Sequence, residues 1–356
     1  MSCRPRSRPG FRTFPLPPSR RSAEDGLVAA WQRRGPMAWL LYPFSLVFRA
    51  LAAARRAAYR LGVLGATRLP VPVVIVGNLT VGGSGKTPLV IHLARVLSQR
   101  GRRPGIIARG YRGGVRGPTA VVALGDPAVF GDEALVLARN CACPVFVGAD
   151  RVAAGLALIA AHPDCDVILS DDGLQHYRLA RDVEIAVFDA RGVLNGWCLP
   201  AGPLREPLQR VTRVDAVVLN GDASTMLPAS GLEIFRMCLE GSRFHDLIEP
   251  GRSCSVAELA GKRLHAVAGI GSPMRFFRHL KALGLEFVEH PFPDHHAFVR
   301  TDLDFVGDAI VTTEKDAVKL ASIELPLPVW VLPVDARLTP DLGAFLLEKL
   351  HGCSPA

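Results

Sequence analysis

The stretch PVPVVIVGNLTVGGSGKTP, residues 70–88, decides the fold of this chain. It begins with a β-branched run that is typical of a buried strand, and an apolar helical pattern, LVIHLARVLSQRG, follows it. Between the two lies a glycine-rich loop. Gly82, Gly83 and Gly85 let its backbone N–H groups surround a phosphate, and the helix N-terminus adds its dipole. The order strand, glycine-rich loop, helix predicts a nucleotide-binding α/β fold.

Lys86 and Thr87 end this loop and give it its chemistry. Lys86 can reach the β- and γ-phosphates of a nucleotide, and the Thr87 hydroxyl can coordinate Mg²⁺. The general pattern G-x-x-x-x-G-K-[ST] has glycine where this chain has Thr80, but the use of lysine strengthens the match. The chain contains 36 Arg and six Lys, and Lys86 is the only lysine in its first 261 residues, which indicates a position that needs a compact point charge. The predicted phosphate-binding residues of the loop are Thr80, Val81, Gly82, Gly83, Ser84, Gly85, Lys86 and Thr87.

The segment CDVILSDDGLQH, Cys165–His176, supplies the second element of a phosphate-loop site. Val167–Leu169 reads as a short buried strand, and Asp171 and Asp172 follow at its carboxyl end, where open α/β sheets place ligand-binding groups. We expect one of these carboxylates to hold Mg²⁺ directly or through water. Taken alone, paired acids after a strand are also typical of a helix cap.

Composition limits the classes of protein that fit. The chain has 356 residues, 49% of them hydrophobic, enough for one large or two medium domains. The net charge of +9 comes from residues 1–70, where thirteen Arg face two acids, which leaves −2 for residues 71–356. The folded body is therefore not basic, and nucleic-acid binding is excluded. The eight cysteines form no CxxC pair, so we expect reduced thiols in a cytosol-facing protein, without zinc.

The N-terminal region differs in composition from the rest. Residues 1–36 hold eight Arg and six Pro and have no signal-peptide core, so we predict a disordered extension, with Met37 as a possible start. Residues 37–66 are predicted to form an amphipathic helix. Its apolar run, residues 38–48, spans only about 16 Å as a helix, against a hydrocarbon core of about 30 Å.

This predicted helix has two faces. Phe44, Val47 and Leu51 fall on the apolar one, and the opposite one carries Arg49, Arg56 and Arg60. Such a helix is typical of one that lies in the plane of an anionic membrane surface. An ordinary helix packed on the body and a tilted insertion are the alternatives.

Strand-like runs alternate with helical ones along the rest of the chain. They predict a doubly wound, mainly parallel α/β core over residues 67–226 and a second, smaller α/β domain over residues 227–356. The boundary is placed in the loop-like stretch GDASTMLPASG, residues 221–231. The strand-like runs are residues 70–76, 106–108, 120–123, 144–147, 167–169, 185–188 and 215–219 in the core, then 264–270, 285–292, 309–313 and 329–334.

Seven motifs, in order along residues 37–350, resemble the tetraacyldisaccharide 4′-kinase family. Thr80, which departs from the general phosphate loop, matches this family's own version. The motifs are GNLTVGGSGKTP (77–88), IARGYRG (107–113), FGDEALVLA (130–138), DDGLQHYRLARDVEI (171–185), the pair FDARG and NGWCLPAGPLREP (188–207), FPDHHAF (292–298) and VTTEKDAVKL (311–320).

The resemblance implies a reaction and a place for it. It implies transfer of the γ-phosphate of ATP, with Mg²⁺, to the 4′-hydroxyl of a tetraacylated glucosamine disaccharide 1-phosphate, which forms lipid IVA in lipid A biosynthesis. The implied location is the cytoplasmic face of the bacterial inner membrane, which suits the N-terminal helix. We expect the chain to act as a monomer.

The family pattern also assigns residues. It makes Asp132 the catalytic base and His295 its partner, with His296 as the alternative, and places the pair in a cleft between domains. Without the family, Asp132 reads as a helix N-cap and the two histidines as a turn. The resemblance further suggests metal-linked roles for Glu133, Gln175, His176 and Glu206, phosphate contacts for Arg151 and Arg205, and an adenine site bordered by Thr313–Asp316.

Two other classes of function remain open from the residues alone. One is an ATPase or GTPase switch, which would hydrolyse nucleotide without a lipid acceptor. The other is a nucleotide-binding membrane adaptor, which would bind ATP tightly and not turn it over.

Overall fold

The computed structural model describes residues 30–223 and 231–351 of the chain. Its larger sheet has nine strands, of which the seven central ones are parallel and the two edge strands antiparallel. In spatial order they are β15 (Asp335–Thr339), β8 (Glu233–Glu240), β7 (Ala216–Asn220), β6 (Val183–Asp189), β1 (Val73–Gly77), β5 (Val167–Asp171), β2 (Pro104–Ala108), β4 (Val145–Val147) and β3 (Thr119–Ala120).

Helices cover both faces of this sheet, which confirms the predicted doubly wound α/β fold. Strand β1 shows why: Val74 and Val76 pack into the apolar core on one face, and Val73 and Ile75 into the core on the other. The helices of this part are α1 (Pro36–Arg60), α2 (Lys86–Gln99), α3 (Pro127–Phe130), α4 (Asp132–Asn140), α5 (Arg151–Ala161) and α9 (Leu342–His351), with a 3₁₀ helix at Leu208–Arg213.

A second sheet of six strands forms a smaller layer with its own apolar core. Four of its strands are parallel, and β9 and β10 extend it in antiparallel pairing. In spatial order they are β10 (Ser253–Ser255), β9 (Arg243–Asp246), β14 (Val329–Leu332), β13 (Ala309–Thr313), β11 (Leu264–Ala268) and β12 (Phe287–Pro291). The helices are α6 (Val256–Leu259), α7 (Pro273–Ala282) and α8 (Glu314–Leu320), with a 3₁₀ helix at Arg300–Leu303.

The division between the two sheets differs from the predicted boundary at residues 226 and 227. Strand β8 still belongs to the larger sheet, because it pairs with β7, and β15 returns to that sheet from the C-terminal side. The chain therefore crosses between the sheets twice, near Gly241 and near Pro333, and a side chain on Gly241 would collide with the Pro333 carbonyl. Strand β8 was missed because only alternate residues are buried, so it forms no continuous apolar run.

The N-terminal part also differs from its prediction. Residues 1–29 of the predicted extension lie outside the described residues, but Trp31 is buried, and its indole N–H donates to the Pro200 carbonyl at 2.9 Å. The last residues of the supposed extension are thus folded against the body. Helix α1 follows at Pro36 and ends at Arg60, six residues before the predicted end.

Helix α1 rests on the larger domain through one narrow face. The Ser45 hydroxyl donates to the Cys198 carbonyl at 2.8 Å and accepts from the Ala201 N–H at 3.0 Å. Arg56, predicted on the basic face opposite the apolar one, is half-buried and reaches Glu206 at 3.4 Å. Among the described residues, α1 is the one helix whose length and composition suit a membrane crossing, with a mean hydropathy of 1.5 over its most apolar 18 residues.

Candidate active site

The phosphate loop joins β1 to α2, as the sequence predicts. Gly85 precedes the helix with a φ of 88°, and Gly82 has a φ of 102°, a region that residues with a Cβ rarely adopt. A side chain on Gly85 would also collide with the Asn220 amide, which donates to the Ser84 carbonyl at 2.9 Å. Glycine is therefore required here for both conformation and space.

The first half of the loop is held by the segment around Leu204. The Val81 N–H donates to the Pro203 carbonyl at 2.9 Å, and the Arg205 N–H donates to the Leu79 carbonyl at 2.7 Å. Thr80 is bridged to Leu204 in the same antiparallel fashion. The Val81 N–H is therefore already hydrogen-bonded within the protein, and these contacts position the second half of the loop, Gly82–Thr87.

Both predicted acids lie beside this second half. The Thr87 hydroxyl is 3.4 Å from Asp171 Oδ2, and Lys86 Nζ is 3.5 Å from Asp172 Oδ1. Arg205 reaches both oxygens of Asp172 at 3.1 Å. Burial, with the charge of Glu133, raises the pKa of Asp171 to about 7. Burial also pushes the pKa of Asp172 upward, but Lys86 and Arg205 outweigh it and hold that pKa below its usual range.

These residues fit Mg²⁺. The second carboxylate oxygen of Asp171, Oδ1, is buried and has no hydrogen-bond partner, a costly arrangement that a bound cation would relieve. With the Thr87 hydroxyl and Asp172 it offers the hard oxygen ligands that Mg²⁺ prefers. No group of three or more His, Cys, Asp or Glu in the described part of the chain forms a metal cluster. The remaining ligands would therefore be nucleotide phosphates and water.

Asp132 and His295 meet across the two domains. His295 Nδ1 lies 2.9 Å from Oδ2 and 3.1 Å from Oδ1 of Asp132, whose side chain is 6% exposed. Burial raises the pKa of Asp132, but the hydrogen bond from His295 and the charge of Lys315 outweigh it, so the pKa lies below its ordinary value. His296 points elsewhere: its Nε2 lies 2.8 Å from Asp302. Of the two predicted histidines, His295 is the one that contacts Asp132.

Lys315 is the residue that sequence reasoning missed. Its ammonium lies 3.1 Å from Glu133, 3.1 Å from Asp294 and 3.4 Å from His295 Nε2. The signal was present, because Lys315 is one of only six lysines, but the segment Thr313–Asp316 had been assigned to the adenine site. Within that segment Asp316 is fully buried and pairs with Lys319 at 2.6 Å, so it does not line the cleft.

Glu206, to which the family motif gives a metal-linked role, is held by protein side chains. It accepts from the Tyr177 hydroxyl at 2.6 Å and pairs with Arg210 at 3.6 Å, beside Arg56 of α1. Its metal role stays a prediction. The Gln175 amide donates to the Asn78 carbonyl at 3.2 Å, and its side-chain oxygen accepts at 3.4 Å from Arg205, which also contacts Asp172.

Arg151 and His176 are two further candidate residues. Arg151 is buried and donates to the Gly148 carbonyl at 2.7 Å, and burial lowers its pKa to about 10. Its charge acts on Asp171 and Asp172 without a direct hydrogen bond. Burial and the charge of Arg151 lower the pKa of His176 to about 4, so this histidine is neutral at pH 7.

A cleft of about 480 Å³ lies beside the two acids and the Asp132–His295 pair, and residues that contact these groups line it. Its walls come from both domains. The two backbones approach each other closely here, because a Cβ on Gly271 would lie 3.1 Å from the Gly83 nitrogen. Lys86, Thr87, Glu133 and Lys315 line its polar part. The apolar part is lined by Ile91, Val136, Leu239, Ile270, Phe276, Leu332 and Val334. The cleft thus offers a phosphate-binding end and an apolar wall that suits a nucleotide base.

Known proteins match this chain over most of its length. The family model described as tetraacyldisaccharide-1-P 4′-kinase, LpxK, matches residues 37–351. A tetraacyldisaccharide 4′-kinase of Azoarcus sp. (strain BH72) is 53% identical over 338 residues, which cover 94% of this chain and 99% of that protein. One of Aromatoleum aromaticum is 53% identical over 329 residues, covering 91% and 97%.

A solved structure also matches. The "apo" form of LpxK from Aquifex aeolicus, crystallised in complex with ATP, superposes with a TM-score of 0.76 and 31% identity, and the match covers 88% of this chain and 99% of that one. The fold, the order of the motifs along the chain and the matched relatives all indicate the same family. This chain belongs to the tetraacyldisaccharide-1-P 4′-kinase family.

Proposed function

We propose that this chain transfers the γ-phosphate of ATP to the 4′-hydroxyl of a tetraacylated glucosamine disaccharide 1-phosphate, the step that forms lipid IVA in lipid A biosynthesis. The observation that carries the proposal is that one cleft is lined both by Lys86 and Thr87 of the phosphate loop, which contact Asp172 and Asp171, and by Lys315, which contacts the Asp132–His295 pair.

At the phosphate end, the loop binds the nucleotide phosphates and neutralises part of their negative charge. The N–H groups of Gly82–Thr87 surround the phosphates, and Lys86 places a positive charge beside them. Thr87, Asp171 and Asp172 would hold Mg²⁺, which when bound neutralises negative charge on the phosphates. Arg205 holds Asp172 in place at 3.1 Å.

At the acceptor end, Asp132 takes the proton. As the 4′-oxygen bonds to the γ-phosphorus and the bond to ADP breaks, the hydroxyl proton passes to a carboxylate oxygen of Asp132. His295 fixes the direction of that carboxylate through its two contacts with Asp132. The low pKa of Asp132 keeps it ionised, and therefore able to accept a proton, at pH 7.

Helix α1 brings the site to a lipid acceptor. Its outward face exposes Leu40 by 69%, Phe44 by 63% and Leu51 by 65%. Its inward face is tied to the body at Ser45 and Arg56, which favours a helix that lies along the membrane surface with the body beside it. We place the enzyme at the cytoplasmic face of the inner membrane, where ATP and the lipid acceptor are both accessible.

One assay tests the reaction. The protein is incubated with Mg²⁺, γ-labelled ATP and the disaccharide lipid in detergent micelles, and we expect label on the lipid. Label that appears only as inorganic phosphate would overturn the kinase assignment, and so would the absence of any transfer. Omitting the lipid is the matched control for hydrolysis.

A further inference from the structure

Two carbonyl groups of the phosphate loop are held by side chains from outside the loop. Arg191, which follows β6, donates to the Gly83 carbonyl at 2.8 Å and pairs with Asp189 at 2.8 Å. The buried Asn220, the last residue of β7, donates from its amide to the Ser84 carbonyl at 2.9 Å. Asp189 lies opposite Asn220 in the register of β6 and β7, so both contacts come from one edge of the larger sheet.

These contacts set the direction of the N–H groups that follow in the loop. In a planar trans peptide the N–H points away from the C=O of the same unit. With the Gly83 carbonyl held by Arg191, the Ser84 N–H faces the opposite way. With the Ser84 carbonyl held by Asn220, the Gly85 N–H does likewise. The N–H groups that the loop offers to a phosphate are thus aimed by the side chains that hold its carbonyls.

Asn220 is itself held by the smaller domain. Arg275, near the start of α7, donates from Nη2 to Asn220 Oδ1. A guanidinium has donors and no acceptor, and the Ser84 carbonyl only accepts, so these two partners fix one orientation of the Asn220 amide. Without Arg275 the buried Oδ1 would lose this partner, which is costly, and the amide would be less restrained.

Arg275 reaches Asn220 across the cleft between the domains, and both residues line it. The guanidinium is half-buried: burial lowers the pKa of Arg275, and the charge of Asp189 opposes that shift. The carboxylate of Asp189 therefore acts on both arginines, on Arg191 by direct pairing and on Arg275 through its field.

We propose that Arg275 is a positioning residue for ATP: by holding the Asn220 amide, it orients the Ser84–Gly85 peptide of the phosphate loop from the smaller domain. The inference rests on the proposed use of this loop to bind ATP. Affinity for the nucleotide phosphates then depends on the smaller domain, although the groups that contact them belong to the larger one. Arg191 orients the preceding peptide from within the larger domain.

The first test is a double-mutant cycle. ATP affinity is measured by calorimetry with Mg²⁺ for Arg275→Met, Asn220→Ala and the double variant, with Arg300→Met, at an exposed arginine of the same domain, as the control. We expect the Kd for ATP to rise roughly five- to thirtyfold in each single variant and to stay at the wild-type value in the control. The double variant should bind ATP no more weakly than Asn220→Ala, because Arg275 acts through Asn220.

Two outcomes of this cycle would overturn the inference. Additive losses in the double variant would mean that Arg275 acts on the nucleotide without Asn220. Wild-type ATP affinity in folded Arg275→Met would mean that the loop needs no support from the smaller domain.

A second set of variants separates orientation from packing. Asn220→Asp keeps the size of the side chain and an acceptor for Arg275, but it places an oxygen against the Ser84 carbonyl, so ATP binding should weaken at least as much as in Arg275→Met. Arg275→Lys keeps a donor for Oδ1 and should recover part of the affinity. In a mixed-micelle assay KM for the lipid should stay at the wild-type value in both variants. Equal rises in KM for ATP and for the lipid, or wild-type ATP binding by Asn220→Asp, would contradict the proposed role.

Lys86→Ala distinguishes failure of this inference from failure of the proposed function. Weak ATP binding by Lys86→Ala together with normal binding by Arg275→Met would overturn only the role of Arg275. Normal ATP binding by Lys86→Ala would instead overturn the loop as the ATP site.

Discussion

The phosphate end of the cleft, Gly82–Thr87 with Asp171 and Asp172, and its acceptor end, Asp132 with His295 and Lys315, are assembled by different routes. The first comes from two adjacent strands of one sheet, β1 and β5, whose carboxyl ends lie side by side. The second joins groups 163 and more residues apart in the chain, from two domains. The groups proposed to bind the nucleotide phosphates therefore come from one domain, whereas the proposed catalytic pair forms only where the two domains meet.

This difference separates binding from chemistry. Changes at the phosphate end should alter nucleotide affinity and rate together, because the same groups hold ATP before and during transfer. Changes at the acceptor end should alter the rate and leave nucleotide affinity in place. The variants below test that separation, from the largest expected effect to the smallest.

Lys86→Ala should have the largest effect. It removes the positive charge beside the phosphates, and we expect kcat/KM for ATP to fall by roughly a thousandfold or more, with weaker ATP binding. The measurement is lipid labelling over a range of ATP concentrations, with ATP affinity from calorimetry.

Lys262→Ala, at an exposed lysine, is the matched control and should behave as the wild type. Unchanged ATP affinity in Lys86→Ala would contradict the assignment of the loop. It would also remove the basis for treating the phosphate end as a unit.

Asp132→Asn should come next. The amide cannot take the hydroxyl proton, so turnover should fall by roughly a hundredfold or more. ATP affinity should stay close to that of the wild type, because Asp132 lies at the other end of the cleft. Single-turnover lipid labelling and calorimetry measure the two quantities separately.

Asp302→Asn is the control for this variant. Asp302 holds His296 at 2.8 Å just as Asp132 holds His295, but it is the Asp132–His295 pair that contacts Lys315 at the wall of the cleft. We expect its turnover to be nearly normal. Equal losses in the two variants would mean that Asp132 acts through folding and not as a base.

The phosphate end was predictable because its information is local. The run Val73–Gly77, the glycines and Lys86 lie within one strand, loop and helix, and their spacing alone defines a phosphate site. The acids at the end of β5 followed from the rule that parallel strands present their carboxyl ends together. Even here, the contact of Glu206 with Tyr177 could not be predicted from its place next to Arg205 in the sequence.

The acceptor end was not predictable from local pattern. Spacing says nothing about a contact between Asp132 and His295, and only the family resemblance suggested it. Local pattern did not predict the contacts of Lys315, because its partners come from α4 and from the loop after β12. The same reason hid the return of the chain to the larger sheet: β15 pairs with β8, a strand with alternating burial, about a hundred residues earlier.

The outward face of α1 should affect the acceptor end without affecting ATP. Replacing Leu40, Phe44 and Leu51 together by Ser removes apolar surface worth roughly 1.5–3 kcal/mol per side chain when fully buried. We expect vesicle binding to fall and KM for the lipid to rise in a mixed-micelle assay, with KM for ATP unchanged. Ile248→Ser and Val306→Ser, at exposed apolar positions of the other domain, are the controls. A rise in both KM values would mean that α1 supports the fold rather than the lipid.

Glu206→Gln should have the smallest effect on catalysis. It tests whether a residue that belongs to a family motif also takes part in the reaction. The variant keeps an acceptor for the Tyr177 hydroxyl but removes the charge opposite Arg210 and Arg56, so the free energy of unfolding should fall by about 1–2 kcal/mol. Because the Glu206 carboxylate is held by Tyr177, Arg210 and Arg56, the Mg²⁺ dependence of turnover should be that of the wild type. Urea unfolding and a Mg²⁺ titration measure the two effects, and Glu324→Gln, at an exposed ion pair, should leave both unchanged. A higher Mg²⁺ requirement in Glu206→Gln would return this residue to the phosphate end, and the boundary drawn between the two ends would then be in the wrong place.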